Sequence, residues 1–310
     1  LFRTNARAED VLSVTAAIVL VMFLGVKAAG FQLTEENYGD IAFILSPVAL
    51  LIFVSSFRYA FRPLGTPAIR EVTSRTGRIL RDWSPFLFFS MLYESFQGAT
   101  WQLFSPADKD PLLLRWDIRL FGQTPSVPLD RWIRPELTQV LTIAYFLHLV
   151  LPPVIALIWY RSDLLVFRQF LLAILVSAII ASQGYVLVPA VGPAIAFPSL
   201  YRHTLTGATY EAVTSLIDSA RAPRDVFPSL HVGISSIVLW YAWRHGRPLF
   251  IITLPLVFAN WLSTLYLRYH YMVDVIAGWL TAVASILLST WILRLEAWLK
   301  REPASPGSAH

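Results

Sequence analysis

The chain contains no cysteine, which excludes disulfides, thiolate metal sites and cysteine nucleophiles. It is also poor in charge: Asp, Glu, Lys and Arg make up 15% of its 310 residues, against about 25% in an average soluble domain. No internal repeat is visible, so a repeat architecture is not expected. What is abundant is apolar. Hydrophobic residues reach 56% and the mean hydropathy is +0.57. They are gathered into long runs with the charges between them, which argues for a bilayer rather than a large soluble core. The net charge of +5 is carried between those runs. It reads as a topology signal, and no nucleic-acid partner is expected.

Eight segments are long enough, or nearly so, to cross about 30 Å of hydrocarbon. They are Val11–Gly30, Gly39–Phe57, Trp83–Phe104, Leu137–Tyr160, Phe167–Leu187, Pro228–Trp243, Leu249–Leu267 and Val273–Leu293. The expected fold is an all-α polytopic membrane protein with about eight transmembrane helices. A secretory signal would share the Arg3 and Arg7 flank of the first run. No small-residue cleavage pattern is clear there and many spans follow, so a retained span is expected. Placing the N-terminus in the cytoplasm puts 15 of the 25 Lys and Arg residues on the inside, mostly in short connections. Both termini are then cytoplasmic. Short loops and the lack of glycosylation sites point to a bacterial cytoplasmic membrane.

Three blocks are expected. Residues 1–82 hold two N-terminal transmembrane helices and a basic cytoplasmic linker, residues 83–302 a six-helix catalytic core, and residues 303–310 a disordered tail. Two outside segments are unusually long. One, Ser105–Glu136, mixes Trp116, Phe121 and Trp132 with charges and suits the membrane interface. The other, Val188–Phe227, is rich in Pro, Gly and Arg, and long loops of this kind often shape or cover a site.

The chemistry-bearing residues flank the last three runs. Asp225-Val226-Phe227-Pro228-Ser229-Leu230-His231 opens the sixth run. Proline favours a first helical turn, so free backbone N–H groups are expected at Ser229, Leu230 and His231, an anion site in waiting. Ser229 adds a hydroxyl and His231 a proton donor. Arg268-Tyr269-His270-Tyr271-Met272-Val273-Asp274 opens the eighth run. His270 and Asp274 are four apart and share a face if helical. An aspartate beside an imidazole fixes its tautomer and stabilises its cation, leaving the far nitrogen a competent nucleophile. The topology brings both elements to one outer surface.

These strings resemble the signatures of the type-2 phosphatidic acid phosphatase superfamily, which includes lipid phosphatases and some haloperoxidases. Pro228-Ser229-Leu230-His231 is similar to its second signature, Pro-Ser-Gly-His. Ser263-Thr264, five residues, His270, three residues and Asp274 is similar to its third, with Thr264 in place of arginine. The first signature, Lys, six residues, Arg-Pro, is absent. Tyr185, six residues, Gly192-Pro193 has its spacing and is either the positional equivalent without cations or a plain proline-glycine exit from the fifth run. The departures resemble a branch holding inositol phosphorylceramide and sphingomyelin synthases, as do Trp116-Asp117 with Leu120-Phe121-Gly122, and Ala144-Tyr145 with His148 and Pro152.

The resemblance covers roughly Leu112 to Leu280. It implies a six-helix catalytic core of that kind, with His270 attacking phosphorus, Asp274 orienting it, and His231 protonating the leaving oxygen and then acting as base. A phosphohistidine would form without metal or other cofactor. The implied partners are a phospholipid or other lipid phosphate substrate, a possible lipid hydroxyl acceptor, and the membrane. The implied activity is movement of a phospho-headgroup between lipids. Alternatives are a lipid phosphate or pyrophosphate phosphatase with the same site, and a non-catalytic transporter or scaffold.

A phosphoryl group needs positive charge near it. Arg202, Arg221 and Arg224 in the second long loop are candidates, and Arg268 is expected to face away from His270 unless the helix begins later. Glu94 and His148 are intramembrane polar residues that either line the substrate cavity or bond between helices. Asp117 is expected to serve as a cap or in a turn.

Overall fold

The computed structural model describes Arg7 and residues 75–84, 86, 108–220 and 224–299. The first two expected runs, nearly all of the third, the tail, Glu94 and Arg221 lie outside the described residues. Among the described residues every regular element is a helix. The principal ones are α1 (Asp110–Phe121), α2 (Pro135–Ser162), α3 (Leu164–Leu187), α4 (Ala208–Ala220), α5 (Leu230–His245), α6 (Arg247–Tyr266) and α7 (Met272–Leu299). Four of them, α2, α3, α6 and α7, are long and apolar enough to cross a membrane. The chain is therefore a membrane protein.

The turns at one end are set by single residues. Asp163 closes α2 and caps α3 in the same step, its Oδ1 accepting from the N–H groups of Leu165 at 2.9 Å and Val166 at 3.1 Å. Gly246 joins α5 to α6, where Pro248 occupies the first helical turn. Trp159 and His245 lie 6.4 Å apart at this hairpin end. Residues 75–84 are helical, and Trp83 packs there against Tyr160 and Phe167, with ring centroids 5.7 and 5.2 Å away.

Helix α5 has 16 residues, about 24 Å, and is shorter than its neighbours. It packs against α2, α3, α6 and α7 and is the centre of the bundle. Hydrocarbon gives helices no hydrophobic reason to associate, so close approach through small residues takes over. A Cβ added at Gly278 of α7 would stand 2.5 Å from the Ser229 carbonyl oxygen and 2.9 Å from the Val232 Cβ. One added at Gly184 of α3 would stand 2.2 Å from the Pro228 ring. Both glycines lie at the far end, where α5 begins. The outer faces stay apolar: Phe258 on α6 and Leu280 and Leu287 on α7 are exposed, as lipid-facing positions require.

Candidate active site

Ser229 is the N-cap of α5. Its hydroxyl accepts from the Val232 N–H at 3.4 Å, and the helix begins at Leu230. Pro228 therefore precedes the cap and is not in the first turn. The Ser229 N–H also departs from expectation: it donates to the Asp274 carbonyl at 3.1 Å and is not open to an anion. That bond ties the start of α5 to the start of α7. Leu230 is buried in the core, while His231 is half-buried on the open side.

His270 lies in the short link between α6 and α7, two residues before α7 starts. It is buried, with its ring centroid 5.4 Å from that of His231 in an edge-on arrangement. The His270 Nδ1 is 3.0 Å from the Val226 carbonyl oxygen. A carbonyl only accepts, so Nδ1 carries the proton and Nε2 the lone pair. Nε2 is 3.3 Å from the Ser229 hydroxyl. Asp274 stands further off than the sequence pattern anticipates, its Oδ2 3.6 Å from Nδ1. The reason is that His270 precedes the helix, and Asp274 is occupied with the helix start: Oδ2 accepts from the Tyr271 N–H at 2.8 Å, the reach-back half of a capping box. Val226 thus sets the tautomer, and the Asp274 carboxyl stands nearby.

The link is held from outside by α1. Asp117 is buried and accepts from the first two N–H groups of α7, Met272 and Val273, both at 3.0 Å, and from the Thr124 hydroxyl at 2.6 Å. Burial pushes its carboxyl above the usual range against those bonds. Asp110, one heptad earlier on the same face, accepts from the N–H groups of Val191 and Gly192 and from the Tyr271 hydroxyl, at 2.9–3.0 Å. Burial and this carboxylate push the Tyr271 phenol up, so it stays a donor.

Arg268 braces the other side. It follows the end of α6 with φ +62°. The N–H of Arg268 bonds the Leu265 carbonyl and that of Tyr269 the Thr264 carbonyl, both at 3.1 Å. This is the Schellman ending, in which the left-handed position usually belongs to glycine. Arginine is held there by its guanidinium, which donates to Asp130 Oδ1 at 2.6 Å and to the His203 carbonyl at 2.7 Å, and lies over the Tyr201 ring at 4.3 Å. Its guanidinium is committed to these partners; α7 begins only at Met272, so the helical spacing that would turn Arg268 from His270 does not apply. Burial raises the Asp130 carboxyl, but the bonds from His203 and the Arg202 and His203 N–H groups, with the Arg268 charge, outweigh it and hold the group below the usual range.

The remaining candidates separate. Tyr185 is buried near the end of α3, beside the glycine that packs on Pro228. Gly192 has φ +90°, and a Cβ there would stand 2.5 Å from the Tyr269 carbonyl oxygen. The Tyr185–Pro193 stretch therefore backs directly onto the His270 link. Arg202 is a correction: its side chain is exposed, and only its backbone N–H is engaged, with Asp130 at 3.0 Å. Arg224 is a second: its guanidinium is held by Asp108. An acidic neighbour on a flanking segment takes the Arg224 guanidinium, which spacing along the chain does not reveal. His148 is brought in fully. Its ring centroid is 3.8 Å from that of His231, and Tyr145 stacks on the other ring at 4.3 Å. Asp110 and the Val226 carbonyl were missed by sequence reasoning, and Tyr145 entered it only through the branch resemblance. For Asp110 the signal was available, a second acidic residue at heptad spacing from Asp117.

Two histidines in edge contact, one with its lone pair directed by a carbonyl and the other on an open helix start, can attack a phosphorus centre and protonate what leaves. The chain was compared with known proteins on this footing. No curated protein and no solved structure matches it. A family model described as the PAP2 superfamily matches residues 112–288, a stretch that holds α2, α3, α5, α6, both histidine segments and most of α7. The chain belongs to the PAP2 superfamily, that of type-2 phosphatidic acid phosphatases, a grouping of phosphatases and phosphotransferases.

Proposed function

We propose that this protein is a membrane lipid phosphotransferase that moves a phospho-headgroup from one lipid to the hydroxyl of another through a phosphohistidine. The observation that carries the reading is the pairing of His270 with His231, with the Nδ1 proton of His270 committed to the Val226 carbonyl. The Nε2 lone pair of His270 attacks phosphorus, and His231 protonates the departing oxygen. The N–P bond forms as the O–P bond breaks. The acceptor hydroxyl then attacks the same phosphorus and returns the electron pair to Nε2. The Ser229 hydroxyl, within reach of Nε2, suits a phosphoryl oxygen. The reading places the site on the outer side of a bacterial cytoplasmic membrane, in a six-helix core with two further spans before it and both termini inside.

The test is incubation of the purified protein with phospholipids labelled at phosphorus, with and without diacylglycerol or ceramide. A new labelled phospholipid supports transfer. Free phosphate or a free phospho-headgroup means that water is the acceptor and the protein is a lipid phosphatase. No turnover of any phosphate ester, or full turnover by His270→Ala, would sink the reading. Because the route runs through nitrogen, EDTA is expected to leave the rate unchanged.

A further inference from the structure

We infer that His148 is a third histidine of the site and takes the proton of the acceptor hydroxyl in the return step. The inference rests on the phosphohistidine reading above. That reading, by resemblance, gives His231 both proton transfers; the geometry around His148 assigns the second elsewhere.

Three observations converge. The first is the tautomer. His148 Nδ1 lies 2.7 Å from the Tyr145 carbonyl oxygen, which only accepts, so Nδ1 bears the hydrogen and Nε2 the lone pair. The ring is set as a base before any substrate arrives. The second is contact. With centroids 3.8 Å apart, the rings of His148 and His231 touch. Two imidazoles in contact accommodate one positive charge far better than two. When His231 is the protonated acid, His148 is its neutral partner, so an acid and a base stand side by side. The third is access. The inward stripe of α2 runs Leu141, Ala144, Tyr145, His148, Leu151, Pro152 and Ile155, and all but His148 are buried. His148 and His231 are half-buried and stand together, with the buried His270 beside His231.

The proton balance closes. In the first step His231 gives its proton to the leaving oxygen and becomes neutral. In the second the acceptor oxygen bonds phosphorus, the N–P bond to His270 breaks, and the hydroxyl proton goes to His148 Nε2. Transfer of that proton from His148 to His231 across their contact restores both rings.

The variants follow from the geometry. His148→Asn keeps an amide donor for the Tyr145 carbonyl and removes the Nε2 base, and His148→Gln places an amide where Nε2 stood. The probe is a micellar mixture of phosphatidic acid and phosphatidylinositol labelled at phosphorus, with diacylglycerol as acceptor. Protein-bound label and its loss after an unlabelled chase are measured. Wild type should acquire label that His270→Ala does not. Both His148 variants should acquire it as fully and lose it about 100-fold more slowly, the scale of a removed general base. Loss of label within about twofold of wild type in both variants would overturn the inference while leaving the phosphohistidine reading intact. So would failure of both to acquire label while they remain monodisperse with unchanged melting. If wild type itself never acquires label, the parent reading falls, and the inference with it.

Discussion

The two histidine segments reach the same site by opposite means. His231 is positioned locally: it sits in the first turn of α5, capped by its own neighbour Ser229. His270 is positioned remotely. Its link is gripped by Asp117 and Asp110 of α1, by Asp130 through Arg268, and by the Val226 carbonyl. A helix start can be specified by a few adjacent residues, but a link between helices needs partners that fold up to it. In the proposed roles, loss of a distant polar partner should therefore disturb the nucleophile more than the acid.

The largest expected effect comes from the rings themselves. His270→Ala should abolish formation of labelled protein, and His231→Ala should slow it by about 10²–10⁴-fold while leaving His270 able to react. Next is Asp117→Ala. It leaves the partly buried Met272 and the buried Val273 N–H groups at the start of α7 without an acceptor, at about 1–3 kcal/mol for the buried one, and lets the link drift. A loss of about 100-fold in kcat is expected, since displacements near 1 Å are enough. Thermal melting and steady-state kinetics check both.

Arg268→Gly sharpens the contrast, because it favours the backbone and removes the brace. Glycine suits the left-handed position, yet Asp130 would lose its buried partner. Lower melting with about tenfold lower kcat and little change in KM is expected; higher melting with full activity would show that the brace is idle. Ser229→Ala, the local counterpart to Asp117→Ala, removes a cap and should cost about 1 kcal/mol of stability. The smallest effect is on acid stability. The Asp130 carboxyl is held below its usual range in the folded state. Its contribution is present above the unfolded value of about 4 and is lost as pH falls through the lower folded value. Asp130→Asn should be less stable than wild type at neutral pH, and the gap should narrow on acidification. A gap that holds constant would remove Asp130 from the titrating brace.

The contrast also explains what could be read from the chain alone. Long apolar runs gave the four spanning helices because their periodicity is local, and Pro228-Ser229-Leu230-His231 marked the start of α5 to within two residues. The bond from the Ser229 N–H to the Asp274 carbonyl was not legible, because it joins segments separated by two whole helices. Pairing of Arg224 with Asp108 was hidden for the same reason. Asp117 could be read as a cap, but the helix it caps lies on another part of the chain. His148 stood out as a polar residue in an apolar run; only folding shows it touching His231.

The unequal lengths of α2 and α5 have a consequence for who can approach. His148 lies 13 residues after Pro135, so α2 rises about 20 Å beyond the level of the histidines. Its upper turns are joined to α6 through the Thr138 and Tyr266 hydroxyls at 3.1 Å and flanked by α4. In the proposed reading the reacting phosphorus meets His270 and His231 beside this taller helix, which favours a phosphate carried on a slender chain over one on the broad surface of a folded protein.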